Sequence, residues 1–515
     1  MTKHYISICL LFSVLFSSAQ KEANNWYFGV NAGVTFNSGT PVALTNGVLV
    51  TSEGSAALSD KNGNLLFYTD GISVWNKNHV LMPGGTGLLG DPSSAQSAII
   101  VPKPGSKTLF YIFTVAAEAK PGGVCWSMVD MTLQGGLGDV IAATKNTQLF
   151  TPSAEKCAAV KHANGIDVWV VAHGHNNNSF HAYLVDCNGV NPPVTTNIGN
   201  VDPWPGWGGI AFSPDGTKLA SSINSTGFDL FDFNNATGVL SNAILLGNAS
   251  AAYSVSFSPN SKVLYGLKII GGSVVQWNLQ AGSPAAIIAS MTQVGIAGGT
   301  GANYNGGTLQ LGPDGKIYFP QFYQSYLGVI NNPDVVGLGC GFANNAVSLA
   351  GRNAVLGLPP FIQSFFDTTS VIILADSVCT NKPLNFSIGG NVAYLDSVKW
   401  NFGDPASGSQ NTSTLISPSH SFASAGNYSI QLVRYHQCVA DTSFGTVKVI
   451  GPSTATNSVV LCRNSSYTRP AGGIATAAGT YLDTIPAKNG CDSVITTYIS
   501  YSTDTISAGR DTAIC

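Results

Sequence analysis

The chain has few charged side chains. Only 10% of its 515 residues are Asp, Glu, Lys or Arg, and the formal net charge is -3. Without a surplus of basic groups to neutralise a phosphate backbone, we expect no nucleic-acid partner. Glutamate is scarce, which argues against long helices because their exposed faces draw on Glu, Lys and Arg. The glutamates are Glu22, Glu53, Glu118 and Glu155.

Several motifs that carry chemistry are missing. None of the ten cysteines forms a Cys-x-x-Cys pair, so zinc-ribbon and redox motifs are excluded. No Gly-x-Ser-x-Gly elbow, phosphate loop or dinucleotide fingerprint occurs. We therefore expect no cofactor and no resident metal. A Ca²⁺ ion held by carboxylates stays open, although no motif supports it.

Long apolar runs are also missing, apart from a short one at the start. Residues 1–19 are typical of a signal peptide, with Lys3 before an apolar run at 5–16 and small residues at 17–19. An uncleaved anchor is the alternative, but the run is short for a bilayer. Cys9 lies inside the run and not at the processing site, which argues against a lipid anchor. We expect a secreted protein, extracellular or on the outer cell surface, that does not span the membrane.

What the chain does have is a repeated turn phrase and abundant glycine, 58 residues in all. The phrase separates two apolar strands, and it ends at positions spaced by 42, 60, 51, 45 and 54 residues. A self-similar unit of this length, with strands on both sides of a turn, is typical of a β-propeller with one blade per repeat. The phrases end at Gly63, Gly105, Gly165, Gly216, Ser261 and Gly315.

A third strand ending in Asp or Asn follows each turn phrase, so six complete repeats are visible. Near the start, 26–29 and 34–37 match the second and third strands of a further repeat. We expect 361–366 to supply its missing first strand, closing the ring and leaving no open sheet edge. The prediction is an all-β chain with a seven-bladed β-propeller over 24–367. Six blades with an extra strand pair is the alternative.

The pattern changes after the propeller. Residues 371–451 contain Val-Lys-Trp-Asn-Phe-Gly-Asp at 398–404, then Ser-Pro-Ser-His-Ser-Phe at 417–422 and a strand opening Gly-Asn-Tyr at 426–428. These residues resemble the PKD domain, an immunoglobulin-like β-sandwich of exported proteins. Pro405 departs from the family, which has Gly there, so this turn is expected to differ.

A smaller unit follows at 452–505, with two strand patterns on either side of an Asn-Gly turn. We expect disulfides within each module because small domains with thin cores gain most from cross-links. The predicted pairs are Cys379 with Cys438 and Cys462 with Cys491. Residues 506–515 repeat the opening of the PKD-like module, so we expect a further module to begin there and to be truncated.

The whole arrangement resembles large surface proteins exported by Bacteroidetes-type bacteria. In these proteins a signal peptide, a propeller, PKD modules and Cys-containing repeats precede a sorting domain for type IX secretion. The resemblance implies export machinery as a partner. It implies no defined activity, and the sequence contains no such sorting domain.

Counting back from the turn phrases also indicates where a ligand would bind. The first strand of each repeat begins ten positions before the last residue of its turn phrase, at the mouth of the central channel. Two of the four glutamates fall at this position, in the first and third repeats. The candidate ligand-binding residues are Glu53, Gln96, Glu155, Lys156, Trp207 and Tyr304.

Paired carboxylates at a channel mouth could cleave a glycosidic bond or bind a cation. The plainer interpretation is that Glu53 and Glu155 are polar residues at loop entries, with Glu155 paired to Lys156 or facing solvent. We favour it for catalysis, so no catalytic residue is predicted. Four histidines between His162 and His181 could meet at a hairpin, but they lack the carboxylate or thiolate spacing of a zinc site.

Two functions remain. The first is an exported binding or adhesion protein, in which the propeller recognises an extracellular glycan or protein and the following modules act as spacers. The second is a propeller hydrolase or lyase acting on an extracellular polysaccharide. The low acidic content and the missing catalytic motifs favour the first.

Overall fold

The computed structural model describes residues 21–203, 205–247, 250–299, 304–366, 372–373, 377–389, 392–486 and 491–503. The predicted signal peptide at 1–19 and the predicted truncated module at 506–515 lie outside the described residues. The chain divides into two compact units, 1–369 and 370–515. Both are built from β-strands, so the chain is all-β. Within the described residues no helix is long and apolar enough to cross a membrane.

The described part of the first unit contains seven antiparallel sheets in chain order, six of them with three or four strands. The first two are β1 (Asn25–Phe28), β2 (Ala32–Thr35), β3 (Val42–Leu44) and β4 (Ala56–Ser59), β5 (Leu65–Thr69), β6 (Val74–Asn76). The third is β7 (Ala98–Pro102), β8 (Leu109–Val115), β9 (Val124–Asp130), β10 (Asp139–Val140), β11 (Thr147–Phe150). The fourth is β12 (Ser153–Lys161), β13 (Val168–Gly174), β14 (Ser179–Val185), β15 (Val194–Asn197).

The remaining three sheets have four strands each. The fifth is β16 (Ile210–Phe212), β17 (Lys218–Ile223), β18 (Gly227–Asn234), β19 (Val239–Gly247). The sixth is β20 (Ala252–Phe257), β21 (Val263–Lys268), β22 (Ser273–Asn278), β23 (Thr292–Ile296), with helix α1 (Pro284–Ala289) before its last strand. The seventh is β24 (Gln310–Leu311), β25 (Ile317–Pro320), β26 (Tyr326–Ile330), β27 (Phe342–Ser348). Short 3-10 helices lie at Lys21–Ala23, Gln134–Gly136, Ala142–Thr144 and Leu338–Cys340.

The sheets follow one another around a ring, as in a β-propeller. The first strands of successive sheets contact each other, from β4 through β7, β12, β16 and β20 to β24. The last sheet meets the first where β27 contacts β3 and where the ring of Trp26 packs edge-on against Tyr318. Apolar side chains fill the space between the sheets. The seven-blade count stays our interpretation of these seven sheets.

The turn phrases lie between the first and second strands of the six repeats. The last residue of each turn phrase has a positive φ, from 61° at Ser261 to 88° at Gly63. Glycine adopts this conformation without strain, which explains why five of the six positions are Gly. The turn phrases therefore recur because each hairpin needs a residue with positive φ at this position.

The expected closing strand is wrong. Residues Gln363–Phe366 form a 3-10 helix, and no strand is assigned at 361–362. Closure instead comes from residues 353–358, which we term the closing segment. The N–H of Val30 donates to the Asn353 carbonyl, and the N–H of Leu356 donates to the Ser52 carbonyl.

The closing segment makes isolated contacts and no ladder. A Cβ on Gly357 would come within 1.7 Å of the Glu53 carbonyl oxygen, so a glycine is needed for this close approach. Pro359 and Pro360 follow at once, and neither can donate a backbone hydrogen bond to a neighbouring strand. These residues explain why the chain closes the ring without adding a strand.

The second unit contains several smaller sheets. Its first strands are β28 (Ile372–Ile373), β29 (Ser377–Cys379), β30 (Pro383–Asn385), β31 (Ser387–Ile388), β32 (Ser397–Asn401), β33 (Thr412–Ser413), β34 (Ser419–Ser421), β35 (Gly426–His436) and β36 (Val439–Ile450). The later ones are β37 (Ser453–Leu461), β38 (Tyr467–Thr468), β39 (Ile474–Ala475), β40 (Gly479–Pro486) and β41 (Asp492–Tyr501). Two 3-10 helices lie at Val392–Tyr394 and Pro405–Asn411. The main sheet, ordered β29-β36-β35-β32-β33, shares a core with the β30-β34 pair around the buried Trp400.

The predicted cysteine pairs are wrong, because Cys379 is bonded to Cys491. Strand β29 runs parallel to β36 and places Cys379 opposite Ile450. Strand β37 begins at Ser453, three residues after Ile450. Strand β41 runs parallel to it and places Ser493 opposite Ser453. Both cysteines therefore meet at the junction of the two modules. Cys438 and Cys462 each take part in a disulfide bond as well.

Candidate functional site

A cavity of about 230 Å³ opens at the end of the ring where the first strands begin. Its walls come from residues just before or within first strands, from residues just after second strands, and from the closing segment. We term this cavity the mouth pocket. It is lined by Ser52, Glu53, Ser93, Trp207, Tyr253, Ile269, Tyr304, Phe322, Tyr323, Val355 and Leu356.

The polar centre of the mouth pocket is formed by Glu53 and Tyr253. The Tyr253 hydroxyl lies beside the Glu53 carboxyl and interacts with it. Oε2 of Glu53 and the Tyr253 hydroxyl oxygen are both shielded from solvent, and neither makes a well-formed hydrogen bond within the described residues. Buried polar atoms in this state are uncommon in folded proteins, and a missing ligand is one cause.

Negative charge is concentrated around Glu53. Burial raises the pKa of Glu53 well above its ordinary value, and the nearby carboxylates of Glu155, Asp91 and Glu118 act in the same direction. Lys120 pairs with Asp91 at 2.5 Å, but its side chain is 55% exposed, so solvent screens this pair. A cationic group bound beside Glu53 would therefore be attracted to these carboxylates and would stabilise the ionised form of Glu53.

Aromatic rings form the outer wall of the mouth pocket. The Tyr304 and Phe322 rings lie 5.6 Å apart at 68°, and the Phe322 and Tyr323 rings lie 4.7 Å apart at 84°. The half-buried Trp207 lines the same cavity. The rings therefore make crossed walls, and not a single flat platform.

Glu155 does not line the mouth pocket. It lies on β12 and is fully buried. One carboxylate oxygen accepts from the Ala95 N–H at 2.9 Å, and the other accepts from the Glu118 N–H at 2.9 Å. Burial raises the pKa of Glu155 to about 7, although these two bonds lower it. Its carboxyl is therefore occupied in joining the fourth sheet to the third.

Lys156 lies elsewhere too. The expectation that it pairs with Glu155 is wrong, because its ammonium forms a fully buried ion pair with Asp202. The register of β12 shifts between Ser153 and Cys157, and within this irregular stretch Glu155 bonds to the third sheet while Lys156 bonds to the connection that follows the fourth sheet. Burial raises the pKa of Asp202, while Lys156 beside it acts in the other direction.

The Gln96 side chain connects β12 of the fourth sheet to β16 of the fifth by hydrogen bonds. Its side-chain oxygen accepts from the N–H groups of Cys157 at 3.1 Å and Ile210 at 2.9 Å, and its amide donates to the Ile210 carbonyl at 2.9 Å. It lines a separate cavity of about 20 Å³ near the channel. Of the six predicted residues, the structure brings Glu53, Trp207 and Tyr304 together and places Gln96, Glu155 and Lys156 outside the mouth pocket.

Spacing from the turn phrases did not identify every residue that lines the pocket in the structure. Tyr253 lies two positions after Ala251, which is the equivalent of Glu53 in its repeat, and would have been found by reading two residues further. Phe322 and Tyr323 follow a second strand, which ends at the same end of the ring because the sheets are antiparallel. No turn phrase marks that position.

The histidines form no metal site in the described structure. Burial, with Lys156 nearby, lowers the pKa of His173 to about 3, so this ring is neutral. It bonds to the Gly174 carbonyl at 2.7 Å. Among the described residues no group of three or more His, Cys, Asp or Glu could hold a metal ion.

No family model matches the chain, and no curated protein matches it. Similar solved structures include a protein provisionally named as a 6-phosphogluconolactonase from Bacteroides fragilis, with 13% identity and a TM-score of 0.36 over 77% of this chain and 96% of that one. Another is the periplasmic gluconolactonase of Pseudomonas aeruginosa, with 14% identity and a TM-score of 0.34 over 72% and 93%. A third is a protein of unknown function from Desulfotomaculum acetoxidans, with 14% identity and a TM-score of 0.34 over 73% and 94%. At these values we base no argument on them.

Proposed function

We propose that the protein is an exported binding or adhesion protein whose propeller recognises an extracellular ligand, a glycan or a protein, in the mouth pocket. One observation carries this proposal. The pocket combines several aromatic walls with a single carboxyl, that of Glu53, and two polar atoms that have no well-formed hydrogen bond. Concave aromatic sites with a few convergent polar groups are typical of ligand binding.

The polysaccharide hydrolase alternative lacks its chemical requirement. Most glycosidases use two carboxyls that flank the scissile bond, one as acid and the other as base or nucleophile. Glu155 is the obvious second carboxyl, yet both of its oxygens accept backbone N–H groups outside the pocket. Binding without turnover is therefore the function that the geometry supports best.

The cellular location is part of the same proposal. The Cys379–Cys491 disulfide supports an oxidising compartment, where such bonds persist. Together with the predicted signal peptide and the resemblance to exported surface proteins, it supports export. We propose that the second unit, PKD-like in sequence, acts as a spacer that carries the propeller away from the cell surface.

An array of glycans and peptides probed with the purified full chain tests this function. We expect retention of a specific ligand without cleavage, and loss of retention in Trp207→Ala and Tyr304→Ala. Tyr326→Ala is the matched control, because Tyr326 is 39% exposed in the propeller and does not line the mouth pocket. Release of product, or ligand retention unchanged in both pocket variants, would overturn the proposal.

A further inference from the structure

The walls and the charge of the mouth pocket narrow the chemistry of its ligand. We infer that the pocket binds an organic ammonium group, a quaternary ammonium or protonated amine presented by the extracellular ligand. This inference rests on the proposed function and names the part of the ligand that enters the pocket.

The aromatic walls suit a compact cation. Tyr304, Phe322 and Tyr323 are arranged edge to face, so successive rings present faces in different directions. The face of an aromatic ring is its negative region, and a cation within about 6 Å of several faces is attracted to each. A sugar ring is a puckered chair that stacks the C–H groups of one broad face best on a single aromatic face. The crossed walls therefore favour a rounded ammonium group over a sugar ring.

The carboxyl supplies the charge that an ammonium group needs. Glu53 lines the pocket, and its shielded Oε2 makes no well-formed hydrogen bond in the described residues. Glu155, Asp91 and Glu118 lie close enough to act on it electrostatically. A bound cation would relieve the repulsion among these carboxylates and restore the ionised form of Glu53. A neutral hydroxyl group would gain only one hydrogen bond.

The rest of the lining is mixed and can accommodate an alkylammonium group. Ile269, Val355 and Leu356 offer apolar contacts to its alkyl groups, and the hydroxyls of Ser52 and Ser93 can accept hydrogen bonds from a protonated amine.

Choline and dimethylbutanol, its neutral isostere with carbon in place of the quaternary nitrogen, test the inference directly. Calorimetric titration of the full chain should show choline binding at least about tenfold more tightly than the isostere. Glu53→Gln should reduce this difference, leaving the part that the aromatic faces contribute. Tyr323→Ala provides a second variant with little risk to folding, because Tyr323 is 53% exposed, and should also weaken choline binding. Tyr326→Ala should leave it unchanged.

Equal binding of both compounds, tighter binding of the isostere, or binding of neither would overturn the inference. The proposed function is tested separately. It is supported if the array yields a neutral ligand whose retention depends on Trp207, and it is overturned if no ligand's retention depends on Trp207. Two comparisons distinguish a protein source of the ammonium group from a glycan source: a trimethyl-lysine peptide against the same peptide with acetyl-lysine, and a glucosamine oligomer against its N-acetylated form.

Discussion

Glu155 and Lys156 are consecutive residues of β12, yet their side chains bond to different parts of the propeller. Glu155 accepts the Ala95 and Glu118 N–H groups on the side of the third sheet. Lys156 pairs with Asp202, which lies in the connection between the fourth and fifth sheets and bonds through its backbone to the β13–β14 turn. Two adjacent buried ionisable groups therefore connect β12 to the third sheet and to this connection.

Replacing Lys156 alone should strongly destabilise the propeller. Lys156→Met leaves the buried Asp202 carboxylate without its partner, which should lower the free energy of unfolding by about 3–5 kcal/mol. Urea denaturation followed by tryptophan fluorescence measures it. The double variant Lys156→Met/Asp202→Leu should recover most of the loss, since an apolar pair of similar volume avoids the desolvation of both charges. A double variant as unstable as the single one would contradict this account.

Glu155 should make stability depend on pH. Its pKa rises from 4.5 to about 7 on folding, so the unfolded chain releases the proton first as pH increases. The stability contributed by the protonated form is complete below pH 4.5 and is lost as pH rises to about 7. The loss should reach about 3 kcal/mol. Unfolding measured from acid to neutral pH should show a flatter profile for Glu155→Gln than for the wild-type protein, and an unchanged slope would contradict this account.

Gln96 should be required for stability and not for ligand contact. Gln96→Leu would leave two N–H groups and one carbonyl without partners at Cys157 and Ile210, costing about 2–4 kcal/mol. Gln148→Leu is the matched control, because the Gln148 side chain bonds two carbonyls in an exposed setting and its loss should cost less than about 0.5 kcal/mol. Thermal unfolding distinguishes the two variants. Equal costs would show that the interior bonds contribute little.

Choline binding should strengthen as pH rises. Choline keeps its charge at every pH, so a change reports on the protein. Burial raises the pKa of Glu53 well above its ordinary value, so Glu53 gains its negative charge only at higher pH.

The groups that act on Glu53 are Tyr253, Asp91, Glu118 and Glu155, with Lys120 paired to Asp91. Raising the pH over the range in which the protein stays folded should therefore raise the affinity for choline. Glu53→Gln should flatten the curve, whereas a slope retained in that variant would assign the effect to Glu155 or to another neighbour.

Non-reducing peptide mapping should recover Cys379 linked to Cys491. A fragment linking Cys379 to Cys438 would contradict the structure. Replacing both Cys379 and Cys491 with Ser should lower the stability of the second unit by about 4–5 kcal/mol, because the bond closes a loop with a sequence separation of 112. The first unit should unfold as before.

Local signals in the sequence predicted much of the propeller. The turn phrases placed six hairpins because positive φ is a requirement of a few adjacent residues. Spacing from those turns also led to Glu53 and Trp207, which the structure brings together with the predicted Tyr304 in the mouth pocket.

Long-range pairing could not be predicted in the same way. The Cys379–Cys491 bond depends on two parallel strand pairs whose register only the folded unit defines. The pairing of Lys156 with Asp202 depends on where the connection between the fourth and fifth sheets places Asp202. Phe361 was expected to begin a strand because its neighbours are apolar, but the two prolines before it prevent a ladder.

The contacts that close the ring also determine when during synthesis it can be completed. Trp26 enters near the start of the chain, but its ring packs against Tyr318 and Phe361, which the ribosome adds some three hundred residues later. Before those residues are made the ring cannot close, and the edges of its first and last sheets stay available to other chains. If the protein is exported as we propose, this delay should help, because an unclosed arc is easier to keep unfolded for passage across a membrane than a finished ring.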